Sequence, residues 1–250
     1  MTAELESKTA VVTGGSSGIG LASARLFAEA GARVVVVGRN ARRLEEAVVA
    51  IGHGATSVAA DLSGDRGATL LAEELERRRV EIDVLFANAG ASNAPDLFDT
   101  TDETFDEVIG VNLKGPFFTV VRCFDLLRPG ASVIMTSSVS HDRGSIGDTL
   151  YAAAKAGVRT LVRGFAGDPD FLERGVRVNS LAFGAVATPM TGSDEPGLGQ
   201  ALVEWAHENV PLKRWAHPME AARPALFLAS DASSYMTGSE VAVDGGLAQL

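Results

Sequence analysis

At 250 residues and 46% apolar composition, the chain can bury one substantial core and does not call for a second. A net charge of −10 makes it a poor partner for nucleic acid or an anionic membrane, so an anionic ligand would have to be held by local donors. Cys123 is the single cysteine, which excludes an intramolecular disulfide and a Cys-rich metal centre; no metal is expected, and a reducing cytoplasm is. The start, MTAELESK, has no apolar stretch behind a cationic one, so no secretory signal is expected, and no apolar run is long enough to span a bilayer. No repeat, low-complexity tract or linker divides the chain, and a single domain over 1–250 is expected.

Residues 9–13 (TAVVT) predict a short strand. Residues 21–30 predict a helix with Leu21, Ala24, Phe27 and Ala28 on one face and Gly31 as a stop. GGSSGIG lies between them. Gly14, Gly18 and Gly20 stand where a backbone turns tightly and approaches a ligand closely, with Ser16, Ser17 and Ile19 filling the turn. The helix start then offers N–H groups and a positive dipole end to a pyrophosphate. The spacing is G-x-x-x-G-x-G, and no Gly-Lys-Ser/Thr follows, which argues against a nucleoside-triphosphate loop.

Residues 34–37 (VVVV) predict a second buried strand, followed by Gly38, Arg39, Asn40 and a helix over 41–51. An acid at the end of this strand would accept from an adenine-ribose 2′-hydroxyl and repel a 2′-phosphate. The position holds Gly38, with Arg39 next and Arg42 and Arg43 close behind, so NADP(H) is expected over NAD(H). Ser17 is neutral, so a second basic contact to the 2′-phosphate is missing there. Residues 57–60 predict the third strand, with Asp61 and Leu62 placed to meet the adenine, or Asp61 to cap a helix over 64–79. Residues 83–87 predict the fourth strand. Asn88, Ala89 and Gly90 follow, small residues where chain passes close to ligand or sheet.

Helices are expected over 102–111 and 115–127, with Asn112 between them as a break or local cap, or as a residue ordering water near Lys155. Residues 132–136 predict a fifth strand that delivers Ser137 and Ser138 at its C-terminal end, where open α/β sheets place ligands. A helix over 150–165 carries Tyr151 and Lys155 one turn apart on one face. A free phenol, with a pKa of about 10, is a poor base near neutrality. An ammonium within about 4–6 Å would lower it by about 1–3 units. The tuned phenol could then exchange a proton with a substrate oxygen that Ser138 holds by a hydrogen bond. His141 and Arg143 fall in the loop between. Residues 176–182 predict the sixth strand, and 240–243 the last, after a helix over 218–229. The irregular stretch 184–208 carries Asp194, Glu195, Glu204 and Glu208 and an amphipathic piece over 198–205; it reads as a mobile lid.

Thr13-Gly14-x-x-x-Gly18-Ile19-Gly20, Asn88-Ala89-Gly90, Asn112, Ser138, Tyr151-x-x-x-Lys155 and Asp244-Gly245-Gly246 occur in that order. In this ordered set the chain resembles the short-chain dehydrogenase/reductase family from about Lys8 to its end. It looks most like bacterial NADPH-dependent secondary alcohol dehydrogenases, and less like 3-oxoacyl-carrier-protein reductases. The resemblance implies an α/β fold, a single Rossmann-like doubly wound domain of about seven parallel strands with helices on both faces. The cofactor half would run over about 8–135 and the catalytic half over 136–250. It implies a homotetramer built largely through the helix of Tyr151 and the one before it. It also implies that Tyr151 is the general acid/base, that Ser138 orients the carbonyl, that Lys155 lowers the phenol and binds the nicotinamide ribose, and that Asn112 holds a water of a proton relay. Gly184, Val186 and Thr188 would complete the cofactor site, Thr188 at the carboxamide. One departure stands out: Phe183-Gly184 replaces the usual Pro-Gly, adding a ring beside the expected nicotinamide.

These residues predict a ketone–secondary alcohol oxidoreductase. A 3-oxoacyl-carrier-protein reductase is the alternative among enzymes, although the acidic lid disfavours docking of an acidic carrier. A non-catalytic nucleotide-sensing protein is the alternative of another class.

Overall fold

The computed structural model describes residues 4–92, 96–143, 148–192 and 199–249. Seven strands form one parallel sheet: β1 (Thr9–Thr13), β2 (Arg33–Gly38), β3 (Thr56–Ala59), β4 (Ile82–Ala87), β5 (Leu127–Ser138), β6 (Arg177–Phe183) and β7 (Glu240–Val243). Their order is β3-β2-β1-β4-β5-β6-β7. The chain works outward from β1 to β3, then crosses back to β4 and proceeds to the opposite edge. The reversal between β1 and β4 opens a crevice at the strands' C-terminal ends, where sheets of this kind bind ligands. Runs such as RVVVVG in β2 suit strands covered on both faces: the four valines are all buried.

Helices cover both faces. On one side α1 (Gly18–Glu29), α2 (Ala41–Ile51) and α10 (Pro218–Ala229) pack on Val12, Val34, Val36, Phe86 and Leu181. On the other, α3 (Asp65–Arg77), α5 (Gly115–Cys123) and α7 (Thr149–Gly167) cover Val11, Val35, Leu85, Val133 and Val178, and α4 (Asp102–Ile109) packs on α7. The other α-helices of the described residues are α6 (Ser140–Arg143), α8 (Pro169–Glu173) and α9 (Gly199–Asn209). The sequence pattern does not announce α6 or α8, each under two turns.

Two boundaries change how the site is read. Helix α1 begins at Gly18, three residues before the apolar stripe does, so two of the glycines lie inside its first turn. Asn112 neither breaks nor caps a helix. Helices α4 and α5 run on through a π turn, Gly110–Lys114, in which the Gly115 N–H reaches back to the Gly110 carbonyl. Pro116 supplies the reason: in a regular helix its ring would strike the carbonyl four residues back, that of Asn112. Widening the turn moves that carbonyl aside, and Pro116 has no N–H to meet it.

The turn after β3 is gripped from three sides. A Cβ at Gly67 would overlap the Asp61 carbonyl oxygen, one at Gly115 would overlap that of Leu62, and one at Gly110 would lie 3.0 Å from that of Ser63. Asp61 does not cap α3, whose N-cap is Gly64; its carboxylate accepts from the Ser63 N–H at 3.0 Å and closes the turn locally.

Candidate active site

A cavity of about 690 Å³ occupies the crevice. Its floor is the glycine turn. Gly14 and Gly18 have φ of +65° and +52°, conformations that side chains resist. A Cβ at Gly20 would overlap the Gly14 carbonyl oxygen, and one at Gly15 would lie 2.6 Å from Val36 Cγ1, so Gly15, absent from the sequence reading, is also fixed by space. Ser17 is the N-cap of α1, but its side chain makes no capping bond, and the first turn holds no acid. The N–H groups at this helix start therefore face the cavity without a competing carboxylate, which suits a pyrophosphate.

Of the residues the sequence singles out, Gly14, Ser16, Ser17, Gly18, Ile19, Arg39, Asn40, Asp61, Leu62, Asn88, Ala89, Gly90, Ser138, Tyr151, Lys155, Gly184, Val186 and Thr188 all line this cavity. Gly20 and Asn112 stand behind its wall. Arg39 and Arg43 face it at the β2 end, while Arg42 pairs with Glu46 at 3.3 Å along α2. Asn40 caps α2, its Oδ1 accepting from the Arg43 N–H at 3.0 Å. Asn88 laces strand ends together: its Nδ2 donates to the Thr13 carbonyl at 3.1 Å, and its Oδ1 accepts from the Thr136 hydroxyl at 3.1 Å.

At the other end β5 delivers Ser138 and α7 delivers Tyr151 and Lys155. The Ser138 hydroxyl lies near enough to the Tyr151 phenol to draw its pKa down. Ser138 Oγ also receives the Ser140 N–H at 3.2 Å and the Ser140 hydroxyl at 2.9 Å. Those two donors occupy its lone pairs, and its own proton reaches the Phe183 carbonyl at 3.5 Å, a long bond that an oxygen bound beside it can replace. Lys155 is 1% exposed, and its Nζ donates to the Thr136 carbonyl at 3.0 Å and lies 5.4 Å from the Tyr151 ring centroid. Burial pushes the Lys155 ammonium down to about 8.

The phenol departs from expectation. The sequence predicts a pKa lowered by the ammonium. Burial instead pushes Tyr151 up to about 12; the Ser138 hydrogen bond draws it down, and the charge of Asp148 raises it further. Desolvation of a half-buried phenol outweighs its partners, and Lys155, itself costly to charge where it sits, is not among the groups that lower it.

Asn112, fully buried, is committed to the protein. Its Nδ2 donates to the carbonyls of Ala91 at 2.8 Å and Val108 at 3.0 Å, and its Oδ1 accepts from the Ala91 N–H at 3.2 Å. A Cβ on Gly90 would lie 3.0 Å from that Oδ1 and 3.4 Å from Lys155 Nζ, so both polar atoms crowd the same glycine. Phe183 is part of the core beside Leu181, Val186 and Ala221, so its ring only borders the cavity.

Comparison with known proteins places the chain. A family profile described as "Enoyl-(Acyl carrier protein) reductase" matches residues 14–248. "Oxidoreductase asL5" of Sarocladium schorii is 39% identical over 248 residues, 98% of each chain. The chain belongs to the short-chain dehydrogenase/reductase family. A 3-oxoacyl-[acyl-carrier-protein] reductase FabG of Chlamydia pneumoniae is 36% identical over 99% of each chain. A solved L-sorbose reductase from Gluconobacter frateurii, complexed with NADPH and L-sorbose, superposes with a TM-score of 0.91 at 27% identity over the whole of both chains.

Several cavity residues of this short-chain dehydrogenase/reductase escape motif reading. Asp148, the N-cap of α7, lines the cavity three residues before Tyr151 without a capping bond, and burial pushes its carboxyl up to about 6. Trp205 and Trp215 also line it, ring centroids 5.6 Å apart. Arg143 faces the cavity, whereas the His141 side chain is 2% exposed and turned away, 3.1 Å from Asp142 and from Glu240. Those three could gather round a metal, but Arg159 already supplies the cation, 3.0 Å from Asp142 and 3.2 Å from Glu240. The stretch expected to be a lid is partly rooted: Ala187 and Ala216 pair by a backbone hydrogen bond of 2.9 Å, and α9 sinks Ala206, with Val210 just beyond it, against Val139, Ala182 and Leu247. Residues 93–95, 144–147 and 193–198, with Asp194 and Glu195 of the expected lid among them, lie outside the described residues. Among the described residues, no helix is long and apolar enough to cross a membrane.

Proposed function

We propose that the protein is an NADP(H)-dependent oxidoreductase interconverting a ketone and a secondary alcohol. The observation that carries this reading is the convergence of the Ser138 hydroxyl, the Tyr151 phenol and the Lys155 ammonium on one cavity, beyond a glycine turn shaped for a dinucleotide. Gly14, Ser16, Gly18 and Ile19 would hold the pyrophosphate, Asp61 and Leu62 the adenine, and Asn88 to Gly90, Val186 and Thr188 the nicotinamide side. When bound, the nicotinamide supplies or accepts the hydride. Ser138, its lone pairs filled by Ser140, donates to the carbonyl oxygen and holds it beside Tyr151. Tyr151 keeps its proton until the oxygen becomes basic, then gives it up; a phenol held high is protonated beforehand, as a general acid must be. Lys155, held on the Thr136 carbonyl, would bind the nicotinamide ribose. Asn112 fixes the wall at Gly90 and Ala91, and its main-chain oxygen, unmet by Pro116, is a place for a relay water.

NADP(H) is supported by Arg39 and Arg43 at the β2 end with no acid on β2's last residue, Gly38. The solved sorbose reductase, titled as an NADPH complex, points the same way. A homotetramer through α5 and α7 and a cytoplasmic setting complete the proposal. Exposed Ala153 and Ala156 on α7 suit close helix packing, and the lone thiol, Cys123, is buried and pushed up to about 12. The FabG relative keeps a carrier-linked substrate as the second reading; exposed Glu204 and Glu208 on α9 weigh against an acidic carrier.

The test is Tyr151→Phe with a ketone panel, followed by loss of reduced-nicotinamide absorbance. Turnover should fall by about 10²–10⁴-fold while cofactor binding persists. Undiminished turnover would remove Tyr151 from this role.

A further inference from the structure

Resting on the ketoreductase reading, we infer that Asp148 is a specificity residue that accepts a hydrogen bond from a hydroxyl beside the substrate carbonyl, so that the substrate class is a neutral hydroxyketone. Two features of the cavity lead there independently.

The first is polar. Asp148 sits one turn before Tyr151 on the same cavity wall, and its charge is felt at the phenol oxygen. No hydrogen bond occupies its carboxylate among the described residues, although it stands at the N-cap of α7, where such a side chain commonly caps its own helix. A half-buried carboxylate facing a cavity without a donor leaves an acceptor unsatisfied, and a ligand O–H would satisfy it. Arg143 lines the same cavity. With one acid and one guanidinium at this end, a carboxylate or phosphate on the ligand meets Asp148 and an ammonium meets Arg143. A neutral group that donates a hydrogen bond meets neither objection.

The second feature is apolar. Trp205 and Trp215 line the cavity, their rings tilted by 42°. Trp215 packs on the cluster of Val139 and Leu247, next to Ser138 in the chain, so this aromatic wall belongs to the reacting end. Its indole N–H is engaged, donating to the Leu202 carbonyl at 2.7 Å, which leaves ring faces for contact. Trp205 is 39% exposed, a large apolar surface for a residue on a helix rooted by its neighbour Ala206. Ring faces and a carboxylate lining one cavity match a molecule that carries both C–H surface and a hydroxyl.

The experiment compares hydroxyacetone with butan-2-one, which replaces the hydroxyl by a methyl of similar size. In wild type, kcat/KM should favour hydroxyacetone by at least about tenfold, the worth of a charge-assisted hydrogen bond. In Asp148→Ala that ratio should fall toward one. Asp148→Asn, closer in shape, should give an intermediate ratio and guards against a misfolded variant. Because both ketones use the same Tyr151, removing the Asp148 charge from the phenol cancels in the ratio. A wild type that reduces both ketones equally, or a ratio unmoved by Asp148→Ala, overturns the inference and leaves the ketoreductase reading standing. A wild type inert toward these and all other ketones overturns both.

Discussion

Replacing Asn112 by alanine separates a wall-fixing side chain from a water-holding one. Three hydrogen bonds would be lost, to the Ala91 N–H and to the carbonyls of Ala91 and Val108. Ala91 lies at the cavity edge, where water can replace its lost partner, whereas the Val108 contact is buried. A buried orphaned group costs about 1–3 kcal/mol and a solvated one much less, so the total should be about 2–4 kcal/mol. At about 2–4 °C per kcal/mol for a chain of this size, the melting temperature should drop by about 5–15 °C. Asn112→Asp is the sharper test. It keeps an oxygen toward Gly90 but turns a second oxygen on two carbonyls that need a donor, and it should be no more stable than the alanine variant at pH 7. Thermal melts by circular dichroism, with kcat measured alongside, decide the matter. An aspartate variant that melts like wild type would refute the clamp.

Arg39→Asp should shift preference from NADPH toward NADH in the ratio of kcat/KM values; a wild type that already prefers NADH would defeat the argument from Gly38 and Arg39. Lys155→Met should abolish most turnover yet melt no lower than wild type at pH 7, because a buried ammonium is being removed. The sign follows from Lys155 titrating near 8 when folded and near 10.5 when unfolded: the unfolded chain binds more protons between those values, so wild type gains stability as pH rises and the difference should close above about pH 10.5. Gly115→Ala should destabilise by about 1–3 kcal/mol, since its Cβ meets a backbone oxygen that cannot rotate away; an unchanged urea midpoint would show the turn to be softer than drawn.

The strands were legible because parallel strands buried on both faces read as apolar runs, and the glycine turn because its spacing is tied to one backbone path. Ser138, Tyr151 and Lys155 were legible as an ordered set. What was not legible is the balance of forces among them. Motif spacing places an ammonium near a phenol but carries no information about how much water surrounds either, and burial reverses the expected shift. The π turn was hidden for a similar reason: Asn112 and Pro116 each suggest interruption, and only the geometry of the whole segment shows one continuous helix absorbing both. Asp148, Trp205 and Trp215 line the cavity but belong to no motif, so no spacing marks them in the sequence.

The three glycines closing on the turn at Asp61–Ser63 bear on anyone wishing to re-engineer nucleotide choice. One bank of the proposed adenine site is soldered: lengthening it, or grafting a loop there, would have to dislodge α3, α5 and the π turn together. The opposite bank, Arg39, Asn40 and Arg43, rests on solvent and a single helix cap, and rewriting can be confined to it.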